Sequence, residues 1–330
     1  MTKNLSEKAG LNVAGYAPFS MSGGQCLSII EGMRPRLKSV ITIVLTTCLL
    51  ASCNAGREVA ETKTTAKETV ITGTPSPEPT SAPGYPEFKY SVSEPDVDDP
   101  VGRTRTVTFY RDGNPIDGKI TVPAGKGPFK TIIISSGLYA HLGRYSGKAL
   151  RYSDNGYAVI EFHFQNGTAP VPYSDPEYLG DFIYDQVLDL YAVIDSMEYF
   201  PEVDKSNIYL YGHSMGGLVT SYAGTMRQDE ISGLILVDPS FYAADFMHFQ
   251  YGEKITTDIY PLISGCNIPV VIITGTEGSF GEDPNFFDEA REAFPDCRYE
   301  IIDGADHRMD GAASDQVVDR SIEVMKAWEK

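Results

Sequence analysis

Basic residues, cysteine and histidine are all scarce in this chain of 330 residues: 27 Lys and Arg stand against 45 Asp and Glu, with five Cys and five His. The formal charge of −18 excludes a nucleic-acid binder that works by neutralising phosphates. It also opposes adsorption to anionic lipid without an anchor. The first 53 residues carry five Lys or Arg against two Asp or Glu, so the remainder is more acidic still, near −21. His141, His163, His213, His248 and His307 form no cluster of metal-ligand spacing with one another or with the cysteines. No Gly-rich strand-to-helix turn offers a nucleotide site. Neither a metal nor a cofactor is expected. Long apolar runs are missing too. The one at 40–51 falls short of the roughly 20 residues that cross a bilayer.

What the chain does have is the hexapeptide Gly212-His213-Ser214-Met215-Gly216-Gly217, after an apolar run at 208–211 and before a helix-forming stretch at 218–226. A Gly-x-Ser-x-Gly turn squeezed between strand and helix forces its serine into a strained, exposed conformation. Only small residues at 212 and 216 let the backbone fold so tightly. Ser214 is therefore the candidate nucleophile, and a histidine should follow it in the chain. Residues 299–307 supply one: an alternating apolar strand runs into the loop Gly304-Ala305-Asp306-His307. His213, inside the turn, is expected to pack or bond locally. His163 and His248 are read as structural or pocket-lining.

Short β-branched runs at 132–134, 159–160, 234–237 and 270–273 suit central parallel strands covered on both faces. Earlier strands are expected at 106–110 and 116–123, and helices at 179–199, 286–294 and 314–328. The alternation predicts an α/β fold over 101–330, with a mostly parallel central sheet and helices on both faces. About 230 residues form one domain with a large core.

On the elbow, the Gly-Ala-x-His loop and this order of strands, the chain resembles the α/β-hydrolase superfamily from about residue 103 onward. The likeness is in particular to small bacterial serine aminopeptidase-like and dienelactone-hydrolase-like members. The resemblance implies a serine hydrolase with a Ser-His-acid triad, in which His307 acts as general base and then general acid. It implies oxyanion donors at the backbone N–H of Met215, after the nucleophile, and of Leu138, in the turn Ser136-Gly137-Leu138. It puts the acid on the loop after the 269–274 strand, three residues beyond the glycine, where this chain has Gly278. Glu277, one residue earlier, is the first choice. Asp238, at the end of the strand after the elbow helix as in some lipases, is the alternative, and Glu282 and Asp283 remain. A second departure is Phe162-His163-Phe164-Gln165-Asn166-Gly167, where relatives carry Asp-x-Arg-Gly. The family's lid position holds only residues 239–268, which implies little or no lid and an open cleft for a small or protruding ester. Phe241, Tyr242, Phe246, Phe249 and Tyr251, with Tyr139 and Tyr145, are candidates for its wall. Two alternatives to the esterase stay open: a peptidase or amidase on the same site, and a binding lipoprotein that keeps the fold without catalysis.

The N-terminal third bears on location. A basic stretch at 34–38 leads into the 40–51 run, which ends in Leu50-Ala51-Ser52-Cys53. This resembles a bacterial lipobox. It implies a signal peptide starting at Met33 behind an upstream extension, and a diacylglyceryl group on the Cys53 thiol. Residues 54–100, rich in Thr, Pro, Ser and Glu, have too few large apolar side chains to build a core and read as a disordered tether. Such a chain averages roughly 35–40 Å end to end. The expected location is the extracytoplasmic face of the membrane, through the lipid anchor. There Cys266 and Cys297 either pair or stay free.

Overall fold

The computed structural model describes residues 102–329 apart from 172–175, 247–248, 252–253 and 257–258. The lipobox with Cys53, the tether at 54–100 and His248 lie outside the described residues.

In chain order the elements are β1 (Thr104–Arg111), β2 (Asn114–Thr121), β3 (Phe129–Ser135), α1 (Ser146–Asp154), β4 (Ala158–Phe162) and α2 (Pro176–Ser196). Then come β5 (Val203–His213), α3 (Met215–Met226), β6 (Gly233–Val237), β7 (Phe249–Tyr251), β8 (Lys254–Thr256) and α4 (Tyr260–Ile263). The last are β9 (Val270–Gly275), α5 (Asp288–Ala293), β10 (Cys297–Ile302) and α6 (Ala312–Trp328).

One eight-stranded sheet runs in the order β1-β2-β4-β3-β5-β6-β9-β10. β2 pairs antiparallel with β1 and with β4, and the other neighbours are parallel. Ile132, Ile133, Ile134, Val159, Ile160, Leu234, Ile235, Leu236, Val271, Ile272 and Ile273 are all fully buried. A strand buried on both faces needs such continuous apolar runs rather than alternation. The α/β-hydrolase architecture expected from the sequence is the one found.

Differences are local. β5 starts at Val203 rather than at 208, because Val203 already pairs with Phe129 ahead of an irregularity in β3. The 179–199 helix starts at Pro176 and closes in a 3-10 turn over Met197–Tyr199. The 286–294 helix shortens to Asp288–Ala293, since the backbone N–H groups of Phe286 and Asp288 are taken up in turns on Asp283 and Asn285. The 239–268 insertion holds a 3-10 segment (Phe241–Phe246), the β7–β8 ribbon and the single turn of α4. Cys266 and Cys297 are free thiols.

Register positions the site. His213 lies beside Val237, and Val237 beside Ile273. The residues leaving β5, β6 and β9 therefore emerge side by side at the carboxyl edge of the sheet, where open α/β sheets bind ligands.

Candidate active site

Ser214 sits between the last residue of β5 and the first of α3 with φ 56° and ψ −122°, a region that L-residues other than glycine avoid. Its N–H donates to the Val237 carbonyl at 3.0 Å, and its own carbonyl accepts from Gly217 at 2.9 Å. Tight approach explains the flanking glycines. A Cβ on Gly212 would lie 2.3 Å from the Gly216 carbonyl oxygen, and one on Gly216 would lie 2.3 Å from that of Ser135.

The half-buried Ser214 hydroxyl meets the His307 imidazole, with Oγ 2.9 Å from Nε2. On the other side of the ring, Nδ1 is 2.5 Å from Oδ2 of Asp238. Asp238 is fully buried and follows directly on β6. Both of its carboxylate oxygens have donors: besides His307, Oδ2 accepts the Phe280 N–H at 3.2 Å, and Oδ1 accepts the Thr274 hydroxyl at 2.5 Å. Buried carboxylates persist only when so paired.

Glu277 is not brought to His307. It is exposed, its backbone N–H donates to the Ala305 carbonyl at 3.0 Å, and its side chain has no hydrogen-bond partner among the described residues. The first choice from sequence is thus replaced geometrically by the alternative, Asp238. The reason is the register above: β6 is the nearer strand end. The β9 end and its loop supply hydrogen-bond donors, Thr274 and the Phe280 amide, in place of a carboxylate. Glu282 and Asp283 are spent on their own loop, accepting from the Gly278 and Asn285 amides.

Around the imidazole, Phe280 presents an edge at 4.7 Å between centroids, and Phe286 and Tyr242 pack on Phe280 at 5.0 and 5.3 Å. Of the expected wall residues, Tyr242 belongs to this cluster. Phe241 is buried against Tyr260 and Phe287, and Tyr139 is 45% exposed.

Tyr145 is not a wall residue but part of a buried hydrogen-bond chain. The Gly137 N–H donates to its hydroxyl oxygen at 3.2 Å, and that oxygen lies 2.9 Å from Nδ1 of His213. Nε2 of His213 lies 2.7 Å from the His307 carbonyl oxygen. A carbonyl only accepts, so the His213 proton is on Nε2, and Nδ1 accepts from Tyr145. The next two carbonyls of the histidine loop are held likewise. That of Arg308 is met by the Arg144 guanidinium at 3.4 Å and that of Met309 by the Lys148 ammonium at 3.0 Å. Burial pushes Lys148 down to about 8 and Tyr145 up to about 12.

Burial, with the His307 imidazole adding to it, also holds the His213 pKa well below its ordinary value of 6.5. The unfolded chain therefore takes up a proton below about pH 6.5 that the folded chain refuses, and stability falls as pH drops through that window. The slope from this one group is at most about 1.4 kcal/mol per pH unit. In urea midpoints taken from pH 7.5 to 5, His213→Gln, which cannot titrate, should flatten that fall. Parallel curves for wild type and variant would contradict a buried neutral His213.

The two expected oxyanion amides are those of Met215, directly after the nucleophile, and Leu138. Neither the Met215 nor the Leu138 N–H has a hydrogen-bond partner among the described residues. The turn that carries Leu138 is pressed onto the elbow: a Cβ on Gly137 would come within 3.1 Å of the Ser214 Cβ.

Residues 126–265 match a sequence model of the family described as serine aminopeptidase, S33. A search of the curated proteins finds no match. Among solved structures, the chain is similar to an acetyl xylan esterase from Paenibacillus sp. R4, at 16% identity and TM-score 0.54, covering 73% of this chain and 89% of that one. It is also similar to a dienelactone hydrolase from Anabaena variabilis ATCC 29413, at 15% and 0.52, covering 67% and 96%. A third likeness is to a proline iminopeptidase from Mycobacterium smegmatis, at 13% and 0.52, covering 68% and 98%. With the sheet order and elbow described above, these likenesses show the α/β-hydrolase fold.

Proposed function

We propose that this protein is a serine hydrolase that cleaves carboxylic esters through an acyl-enzyme on Ser214. The observation that carries the reading is the unbroken run of contacts from Ser214 Oγ through His307 to the buried Asp238 carboxylate, set at an elbow with positive φ. Ser214 attacks the carbonyl carbon as His307 takes its proton. Asp238 holds the Nδ1–H tautomer and stabilises the imidazolium. The N–H groups of Met215 and Leu138 receive the oxyanion. His307 then protonates the leaving alkoxide, and water repeats the sequence on the acyl-enzyme. The short 239–268 insertion supports small or protruding ester substrates rather than long buried chains. The match to an aminopeptidase family keeps amide hydrolysis as the second reading.

The same reading puts the enzyme outside the cytoplasm, held to the membrane by lipid on Cys53 and carried on the 54–100 tether. The support is the lipobox-like Leu50-Ala51-Ser52-Cys53.

One experiment tests both parts. A fluorophosphonate probe should label the full chain at one site, mapped to the peptide carrying Ser214. p-Nitrophenyl acetate should turn over, and the matched anilide should not be cleaved detectably. The labelled protein should fractionate with membranes and become soluble in Cys53→Ser. Absence of labelling and turnover in folded protein would sink the hydrolase. Equal ester and amide rates would favour the peptidase.

A further inference from the structure

Ser240, two residues past Asp238, is a group that the reading of the sequence passed over. It is buried, with 1% of its surface exposed. Its backbone N–H donates to the Ser214 carbonyl at 2.9 Å, and its Oγ lies 3.2 Å from Ser214 Oγ. Among the described residues, the nucleophile oxygen therefore has two side-chain hydrogen-bond partners, His307 and Ser240.

Counting protons fixes the direction of the second contact. In the triad just proposed, the Asp238 carboxylate only accepts, so the His307 proton is on Nδ1 and Nε2 presents a lone pair. The 2.9 Å contact from Nε2 to Ser214 must then be made by the Ser214 proton. Toward Ser240, Ser214 Oγ has only lone pairs to offer, and the Ser240 hydroxyl is the donor.

We propose that Ser240 is a further catalytic residue, whose O–H donates to the nucleophile oxygen and stabilises the charge that oxygen carries while its bond to carbon is part-formed. The proposal rests on the assignment of Ser214 as nucleophile. In acylation the Ser214 O–H bond breaks, its proton passes to His307 Nε2, the Oγ–C bond forms and the carbonyl electron pair moves to the oxyanion. Collapse of that intermediate expels the alkoxide, which takes the proton from His307. In deacylation water gives its proton to His307 and adds to the acyl carbon. The second intermediate then expels Ser214 Oγ, which recovers a proton from His307. Ser240 keeps its own proton throughout. Its hydrogen bond is strongest at the two steps where Oγ is neither alcohol nor ester, the first attack and the final expulsion. Hydrogen bonds to charged acceptors are roughly twice as strong as neutral ones. The contact therefore favours these transition states over the ground state.

The test compares full-length wild type, Ser240→Ala, Ser240→Cys and Ser214→Ala. The readouts are phosphonate labelling rate, burst rate and kcat with p-nitrophenyl acetate, KM, pH profile and thermal midpoint. Ser240→Ala should label, burst and turn over about 10- to 30-fold more slowly, the range for loss of one hydrogen bond to a developing charge. KM should stay within twofold, and the pH profile should keep its midpoints. The cysteine variant, a weak donor of similar size, should fall between, and it serves as the test if the alanine variant does not fold. A folded Ser240→Ala with wild-type labelling and kcat would overturn the proposal, as would a loss confined to KM. A wild type that neither labels nor turns over would instead overturn the assignment of Ser214, and this proposal with it.

Discussion

Replacing Asp238 with alanine is expected to lower kcat on p-nitrophenyl esters by about 10⁴-fold, the usual scale for loss of a triad acid. Glu277→Ala should change kcat by less than about twofold, as an exposed side chain without partners among the described residues should. Asp238 is the only carboxylate in contact with the His307 ring among the described residues. Its removal frees the imidazole to take the other tautomer and withdraws the charge that faces the imidazolium. Asp238→Asn should be milder, about 10²- to 10³-fold, because the surroundings dictate how the amide sits. Oδ2 receives the fixed Phe280 N–H as well as His307, so the amide oxygen belongs there and the tautomer survives. The NH₂ then faces Thr274, whose hydroxyl can turn to accept it. What the asparagine lacks is charge. Both variants remove an acceptor from buried donors, which costs about 1–3 kcal/mol for each one left unsatisfied. The rates should therefore be read on active-site-titrated protein beside its thermal midpoint. A collapse in Glu277→Ala with an active Asp238→Ala would reverse the assignment.

The elbow was legible in the sequence because its requirement is steric and local. Glycine at 212 and 216 is demanded by backbone oxygens within 2.3 Å of any Cβ, and such a demand leaves a fixed spacing. The histidine loop was legible because an alternating strand feeding Gly-Ala-x-His is a local pattern as well. The central strands were legible from their continuous β-branched runs. The acid was not, because it depends on which strand ends lie side by side, and chain order says nothing of register. β6 and β9 are neighbours in the sheet, with Val237 at the end of β6 beside Ile273 two residues before the end of β9, so a carboxylate leaving either one is a candidate for the same imidazole. The structure distinguishes them by what β9 brings instead: a threonine hydroxyl and a loop amide, both useful only to an acceptor already on β6.

The place of Tyr145 was left open for a related reason. An aromatic residue after the Ser136-Gly137-Leu138 turn suits a pocket wall as well as a core. Only the 2.9 Å contact to His213, a residue 68 positions later, shows its hydroxyl to be committed. Ser240 could not have been singled out, since a serine after Asp-Pro has no pattern of its own. The nearest sequence signal was the Asp238-Pro239 step that made Asp238 the alternative acid.

Gly216→Ala, a change of one methyl group away from every atom that reacts, is the second large effect expected. The added Cβ would lie 2.3 Å from the Ser135 oxygen and 2.5 Å from that of Ser136. Both are backbone atoms, at the end of β3 and the start of the turn that leads to Leu138, so no side chain can swing aside and the backbone there must retreat. Overpacking of this kind destabilises by about 1–3 kcal/mol, read as a shift in urea midpoint. The effect on rate should be larger than stability alone implies. The proposed oxyanion donors lie on the two pieces being pushed apart, Met215 on α3 and Leu138 on the turn. Misplacing one such donor typically lowers kcat by about 10²- to 10³-fold. KM should change little, because a donor aimed at the oxyanion acts mainly in the transition state. Gly147→Ala is the matched control. It lies exposed within α1 with nothing inside 4 Å of a new Cβ. There alanine should stabilise by about 0.5–1 kcal/mol through helix propensity and leave kcat unchanged. A Gly216→Ala enzyme with wild-type kcat would mean that the Ser136-Gly137-Leu138 turn need not stay against the elbow for catalysis. The oxyanion would then have to be held without Leu138.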